Sequence, residues 1–132
     1  MKAIKIVTAA LMLLASSAVY AQSNSKLIVV LNKASWCPTC QANDERVMTE
    51  VFSQYDATEV TIVANDLSNE KTKTESEATL KELGVFDLVG NDNKTGQIIL
   101  IGRKSNKVIT KISFAKSNDE LKQAFDKAIK QS

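Results

Sequence analysis

The chain is 132 residues long, with 17 Lys and Arg against 15 Asp and Glu, two cysteines, one proline and no histidine. Its formal net charge of +2 gives no electrostatic case for a nucleic acid or an acidic membrane surface as partner. The missing histidine removes the commonest general base and the commonest zinc ligand.

The first 21 residues, MKAIKIVTAALMLLASSAVYA, place Lys2 and Lys5 before an apolar run from Ile6 to Leu14 and end in small residues. That is the pattern of a secretory signal peptide cleaved after Ala21. A retained anchor is the other reading, but Thr8, Ser16 and Ser17 interrupt a stretch already short of the roughly 20 residues a span needs. Residues 22–132 then form one domain, large enough to bury a core without disulfide staples. With Lys2 and Lys5 gone, its charges balance.

Leu27 to Leu31 (LIVVL) is a continuous apolar run, expected as a central strand buried on both faces. Ser35 to Cys40 (SWCPTC) follows it and holds both cysteines and the only proline. From Pro38 onward, Val47, Met48, Val51, Phe52 and Tyr55 recur at helical spacing, which predicts an amphipathic helix starting at Pro38. Thr58 to Ala64 alternates as a second strand, and Thr74 with Glu77 spells a capping box opening a second helix. Leu80 and Leu83 anchor that helix and Gly84 can end it.

Val85 to Gly96 reads as a loop with apolar ends. Gln97 to Ile101 and Val108 to Ile112 read as a hairpin turning over Lys104 to Lys107. Ser117 and Glu120 form another capping box, with Leu121, Phe125 and Ile129 as the stripe of a last helix. The order β-α-β-α-β-β-α predicts an α/β fold, a four-stranded mixed sheet with helices on both faces.

A Cys-x-x-Cys where the first strand passes into the first helix has a chemical meaning. A cysteine at a helix start is stabilised as thiolate by unpaired N–H groups and the dipole, and a second cysteine one turn further in can close a disulfide with it. Pro38 suits the first helical position, where its missing N–H costs nothing. Two cysteines without histidine supply only half of a zinc site, so a metal role would need a dimer sharing sites or a soft ion such as Cu(I) held by two thiolates; no metal and no cofactor are expected.

Trp36-Cys37-Pro38-Thr39-Cys40 and the element order over residues 26–131 resemble the thioredoxin-like family and its W-C-x-x-C active site. The resemblance implies a thiol–disulfide oxidoreductase with Cys37 as nucleophile and Cys40 as resolving thiol, and the signal-peptide pattern makes it an exported one, periplasmic or secreted. Its partners would be protein thiols or disulfides of the cell envelope and a membrane electron donor, and it would act as a monomer. Cys37 is expected to be the exposed, lower-pKa thiol and Cys40 the shielded one. Trp36, Pro38 and Thr39 are expected to support the site, Trp36 either as a lid on the sulfur or as a core residue. A proline followed by neutral Thr39 is similar to the glutaredoxin dipeptide, which implies a reductase or isomerase rather than an oxidase, at about −180 to −270 mV.

Two departures from the family stand out. The family places a cis-proline before its third strand to hold substrate; here Thr95 and Gly96 occupy those positions and are the candidate substrate-binding residues. Thioredoxin also buries an acid in its first strand, where this chain has Leu31. Asp44 is either a substitute proton relay or an exposed first-turn acid, and Lys33 and Arg46 are either thiolate-steadying cations or surface charges. The alternative reading is a thioredoxin-like binding module whose Cys37–Cys40 pair is an inert disulfide.

Overall fold

The structure, a computed structural model, describes residues 24–132. The expected signal peptide, 1–21, lies outside them. Seven residues of strand β1 (Leu27–Lys33) pass through a short turn into helix α1 (Pro38–Arg46). The chain continues as a π-helical segment (Val47–Val51) and one 3-10 turn (Phe52–Gln54) before strand β2 (Val60–Asp66). Helix α2 (Glu70–Glu82) and the single turn α3 (Phe86–Val89) follow. Strands β3 (Gln97–Gly102) and β4 (Lys107–Ser113) form the hairpin, and helix α4 (Asn118–Gln131) closes the chain.

The sheet order is β2-β1-β3-β4. β1 runs parallel to β2, as a strand-helix-strand crossover requires, and antiparallel to β3, which pairs antiparallel with β4. The two central strands are those whose sequences are apolar on both faces. Leu27, Val29, Leu31, Ile98 and Leu100 face a layer built by Val47, Val51 and Phe52 after α1 and by Leu121, Phe125 and Ala128 of α4. Ile28, Val30, Ile99 and Ile101 face Leu80, Val85 and Val89 on the other side. Helices therefore cover both faces, as the pattern predicts.

Several expectations need correcting. The first helix does not run unbroken to Tyr55, because the winding widens after Arg46 until the Phe52 N–H reaches the Val47 carbonyl. This wider turn lets both Val51 and Phe52 face the core, and Phe52 stacks on Phe125 at 5.5 Å between ring centres. The second strand begins at Val60 rather than Thr58, since Asp56 caps a turn by accepting the N–H groups of Thr58 and Glu59.

The second helix opens at Asn69, not at Thr74. Asn69 Oδ1 accepts the Thr72 N–H at 3.0 Å and Thr72 Oγ1 accepts the Asn69 N–H at 3.1 Å, a reciprocal box written with different residues. Thr74 sits inside the helix, donating back to the Glu70 carbonyl. The loop over 85–96 contains α3, whose Val89 is buried, together with Val85 just before it. The C-terminal box of Ser117 and Glu120 forms as expected, and Gly84 ends α2 at φ +75°.

Candidate active site

The site lies at the end of β1 where the chain enters α1. The turn is closed by the Cys37 N–H donating to the Ala34 carbonyl at 3.1 Å, and the helix begins with Gln41 N–H on the Cys37 carbonyl at 3.0 Å. Cys37 is the N-cap and Pro38 the first helical residue, so the cysteine takes the place where a serine or aspartate oxygen usually stands. Its Sγ accepts the Cys40 backbone N–H at 3.2 Å. Both cysteines are free thiols in the structure.

The two sulfurs differ electrostatically. Burial pushes the Cys37 thiol up, but the Cys40 thiol, the Thr95 hydroxyl and the Cys40 and Thr39 N–H groups all donate toward its sulfur, and the net pKa is below the ordinary value. Burial pushes the Cys40 thiol up, and its hydrogen bond to Cys37 and that sulfur's charge push it further, so the net pKa is above the ordinary value. Cys37 is the better thiolate.

The expected difference in exposure is not found. Cys37 is 3% exposed and Cys40 4% exposed. The Thr95–Gly96 segment lies across Cys37 and removes it from solvent. A Cβ at Gly96 would stand 3.6 Å from Cys37 Sγ and 3.0 Å from Thr39 Cβ, and Gly96 has φ +75°. Only glycine fits so close to the first turn of α1 in that backbone conformation.

The long loop before Gly96 is fixed from both sides. Asn32, fully buried, accepts the Gly96 N–H on its backbone oxygen at 2.8 Å, while its side-chain Nδ2 donates to the Asp92 carbonyl at 2.9 Å. Asn65 Nδ2 donates to Asn32 Oδ1 at 3.0 Å and completes the pairing of the buried amide. The Asp92 carboxylate accepts from Gln97 Nε2 at 2.9 Å, from Lys111 Nζ at 2.7 Å and from the Lys94 N–H at 3.1 Å. The Gly96 carbonyl accepts the Phe114 N–H at 2.9 Å.

Asn32 and Asp92 escaped the sequence reading. A polar residue closing the apolar run LIVVL and an acid between two asparagines at 91–93 are the signals that mark them. Thr95 and Gly96 do meet Cys37 and Thr39, beside a groove of about 210 Å³ lined by Thr39, Lys94, Gln97 and Lys111.

Trp36 is not a core residue: it is 57% exposed, and its indole N–H donates to the Ser68 carbonyl at 3.2 Å. The Ser68 hydroxyl also accepts the Ser35 N–H at 2.8 Å, so the loop after β2 holds the approach to Cys37. Lys33 turns to Asp44 at 3.5 Å. Arg46 is engaged elsewhere, donating to the Phe114 carbonyl at 2.8 Å, the Lys116 carbonyl at 3.1 Å and the Asn43 and Asn118 side chains. It clamps α1 to the loop before α4. Among the described residues no group of three or more His, Cys, Asp or Glu is placed to hold a metal.

No protein-family model and no curated protein matches this sequence. Among solved structures, Trxlp from Edwardsiella tarda EIB202 is similar with a TM-score of 0.51 at 20% identity, over 83% of this chain and 93% of that one. The disulphide isomerase from Xylella fastidiosa Temecula1 is similar with a TM-score of 0.47 at 16% identity, over 83% of this chain and 82% of that one. The fold is that of the thioredoxin-like proteins, a mixed four-stranded sheet with helices on both faces.

Proposed function

We propose that the protein is an exported thiol–disulfide oxidoreductase that exchanges disulfides with protein thiols of the cell envelope, acting as a reductase or isomerase rather than an oxidase. The observation that carries the reading is the different placement of the two thiols: Cys37 is the N-cap of α1, its Sγ accepting the Cys40 N–H at 3.2 Å, and Cys40 lies one turn inside the helix. An inert structural pair has no use for such a difference.

In the reductase direction, the Cys37 thiolate attacks one sulfur of a substrate disulfide and the other leaves as a thiolate. Cys40 then loses its proton and attacks Cys37 Sγ, which closes the Cys37–Cys40 bond and releases the second substrate thiolate. A membrane electron donor restores both thiols. Thr39 leaves no cation beside the thiolate, in keeping with a potential short of the strongly oxidising range. Thr95 and Gly96 form the substrate-facing edge. Because both Gly96 backbone groups are already bonded to Asn32 and Phe114, substrate pairing falls to Thr95. Trp36 offers an exposed apolar surface next to the nucleophile.

The test is trapping. Cys40→Ser should accumulate mixed disulfides with envelope proteins and Cys37→Ser should trap almost none. Equal trapping by both overturns the thiol order. No trapping by either, with alkylation of Cys37 no faster than that of an ordinary thiol, supports the second reading, a binding module with an inert pair. One observation favours that second reading: neither sulfur is open to solvent. Export is tested separately, by a mature N-terminus at Gln22.

A further inference from the structure

The resolving step leaves a proton to be moved. Cys40 attacks as a thiolate, yet it is buried and its position favours the protonated form. The strand position from which thioredoxin supplies an acid is Leu31 here, packed in the core. A different carboxylate lies on Cys40's own helix. Cys40 and Asp44 are four residues apart on α1 and so share one face, with Cβ atoms about 5–6 Å apart.

Both line the same cavity, about 390 Å³, at the mouth of the β1–α1 turn, together with Lys33, Gln41 and Ser68. That is room for several waters, and the lining is polar enough to hold them. Asp44 Oδ2 faces Lys33 Nζ at 3.5 Å, while Oδ1 is shut off from bulk solvent and accepts no hydrogen bond from any described residue.

The other charged groups at the cavity are poorly suited to the task. Glu45 points to solvent. Asp66 accepts both the N–H and the hydroxyl of Ser68. Lys33 is a donor and pairs with Asp44.

We infer that Asp44 is the proton acceptor for Cys40 in the resolving step, reached through water in this cavity. The inference rests on the proposed function. As Cys40 Sγ bonds to Cys37 Sγ, the Cys40 proton passes to a cavity water, which gives its own proton to the Asp44 carboxylate through the part of it that lines the cavity. The electron pair of the broken mixed disulfide leaves on the substrate sulfur. Asp44, with its side chain 39% exposed, then returns the proton to solvent or to the departing thiolate. Lys33 Nζ stands 3.5 Å from the carboxylate at the mouth.

The experiment uses the reduced protein and an aromatic nitrobenzoate disulfide as probe, because each thiol releases one coloured nitrothiobenzoate. The first release reports attack by Cys37 and the second reports resolution by Cys40. Asp44→Asn should leave the first release unchanged and slow the second about a hundredfold near neutral pH, the low end of general base catalysis.

Without the carboxylate, resolution depends on Cys40's own ionisation, so its rate should climb about tenfold per pH unit below that thiol's pKa. The gap to wild type should therefore close as pH rises. Asp44→Glu should restore part of the rate. Lys33→Met, which breaks the ion pair but keeps the carboxylate, should lose much less. Melting curves establish that each variant is folded. A second release in Asp44→Asn equal to wild type overturns the role of Asp44 while leaving the proposed function intact. So does an equal loss, with the same pH slope, in Lys33→Met. Absence of the first release in wild type defeats both readings.

Discussion

At the scale of single residues the site is governed by how closely Thr95 and Gly96 press on the first turn of α1. Gly96→Ala forces a side chain into φ +75° and against Thr39, so it should destabilise the protein by about 1–2 kcal/mol from the backbone alone, with the steric contact added. Gly96→Pro should cost more, since proline fixes a negative φ and removes the N–H that donates to Asn32. Urea unfolding midpoints of the two variants check the order. A Gly96→Pro protein as stable as wild type would show that this loop is not held as described.

Asp92 supplies a pH-dependent part of the same fastening. Burial pushes its carboxyl up, but Lys111, the Lys94 N–H and Gln97 outweigh that and hold its pKa below the usual carboxylate range. Its folded-state pKa is thus below the unfolded one, so the stabilisation is complete above about pH 4 and is lost as pH falls through the folded value. Asp92→Asn should cost about 1–2 kcal/mol at pH 7. That difference should narrow below about pH 4, which thermal melts at pH 7 and pH 3 can measure. The cysteine pair and the Thr95–Gly96 position were legible in sequence because they are local or set by strand order. The burial of Cys37 and the role of Asn32 were not, because each depends on partners some 60 residues away in the chain, and the Asp92 carboxylate is fastened by Lys111 only once the hairpin has formed.

At the scale of elements the sequence conveyed types and order well and boundaries less well. LIVVL gives a two-sided strand because no position in it tolerates water, and the last helix announces itself through Ser117, Glu120 and a clean apolar stripe. The start of α2 was missed because Thr74 and Glu77 spell the commoner box, whereas Asn69 and Thr72 make the same two bonds less conspicuously. Asn69→Ala should therefore cost about 1 kcal/mol, and Thr74→Ala, in the helix interior, under about 0.5 kcal/mol. Equilibrium unfolding of the two variants decides between these starts. The π-helical segment could not be foreseen either. Helical periodicity is satisfied by its residues, and only the demand that Val51 and Phe52 both reach the core widens the turn.

At the scale of the whole molecule the core is carried by both faces of the sheet, and the cysteines contribute little to it beyond two small buried side chains. A disulfide closing so short a loop constrains the unfolded chain by about 2 kcal/mol at most. Reduced and oxidised protein should both be folded at room temperature, with melting points differing by less than about 10 °C. A reduced form that unfolds there would make the pair a structural clip.

Following these transitions optically has a peculiarity that comes from Trp36, the chain's only tryptophan, standing 57% exposed beside Cys37. An indole already in water emits at long wavelength, so unfolding should shift its emission little, and the colour of the fluorescence is a poor gauge of the fold. A neighbouring disulfide, by contrast, drains the excited state more readily than a thiol does. The brightness of this one residue should therefore rise on reduction, giving the protein a built-in gauge of its own oxidation state without any label.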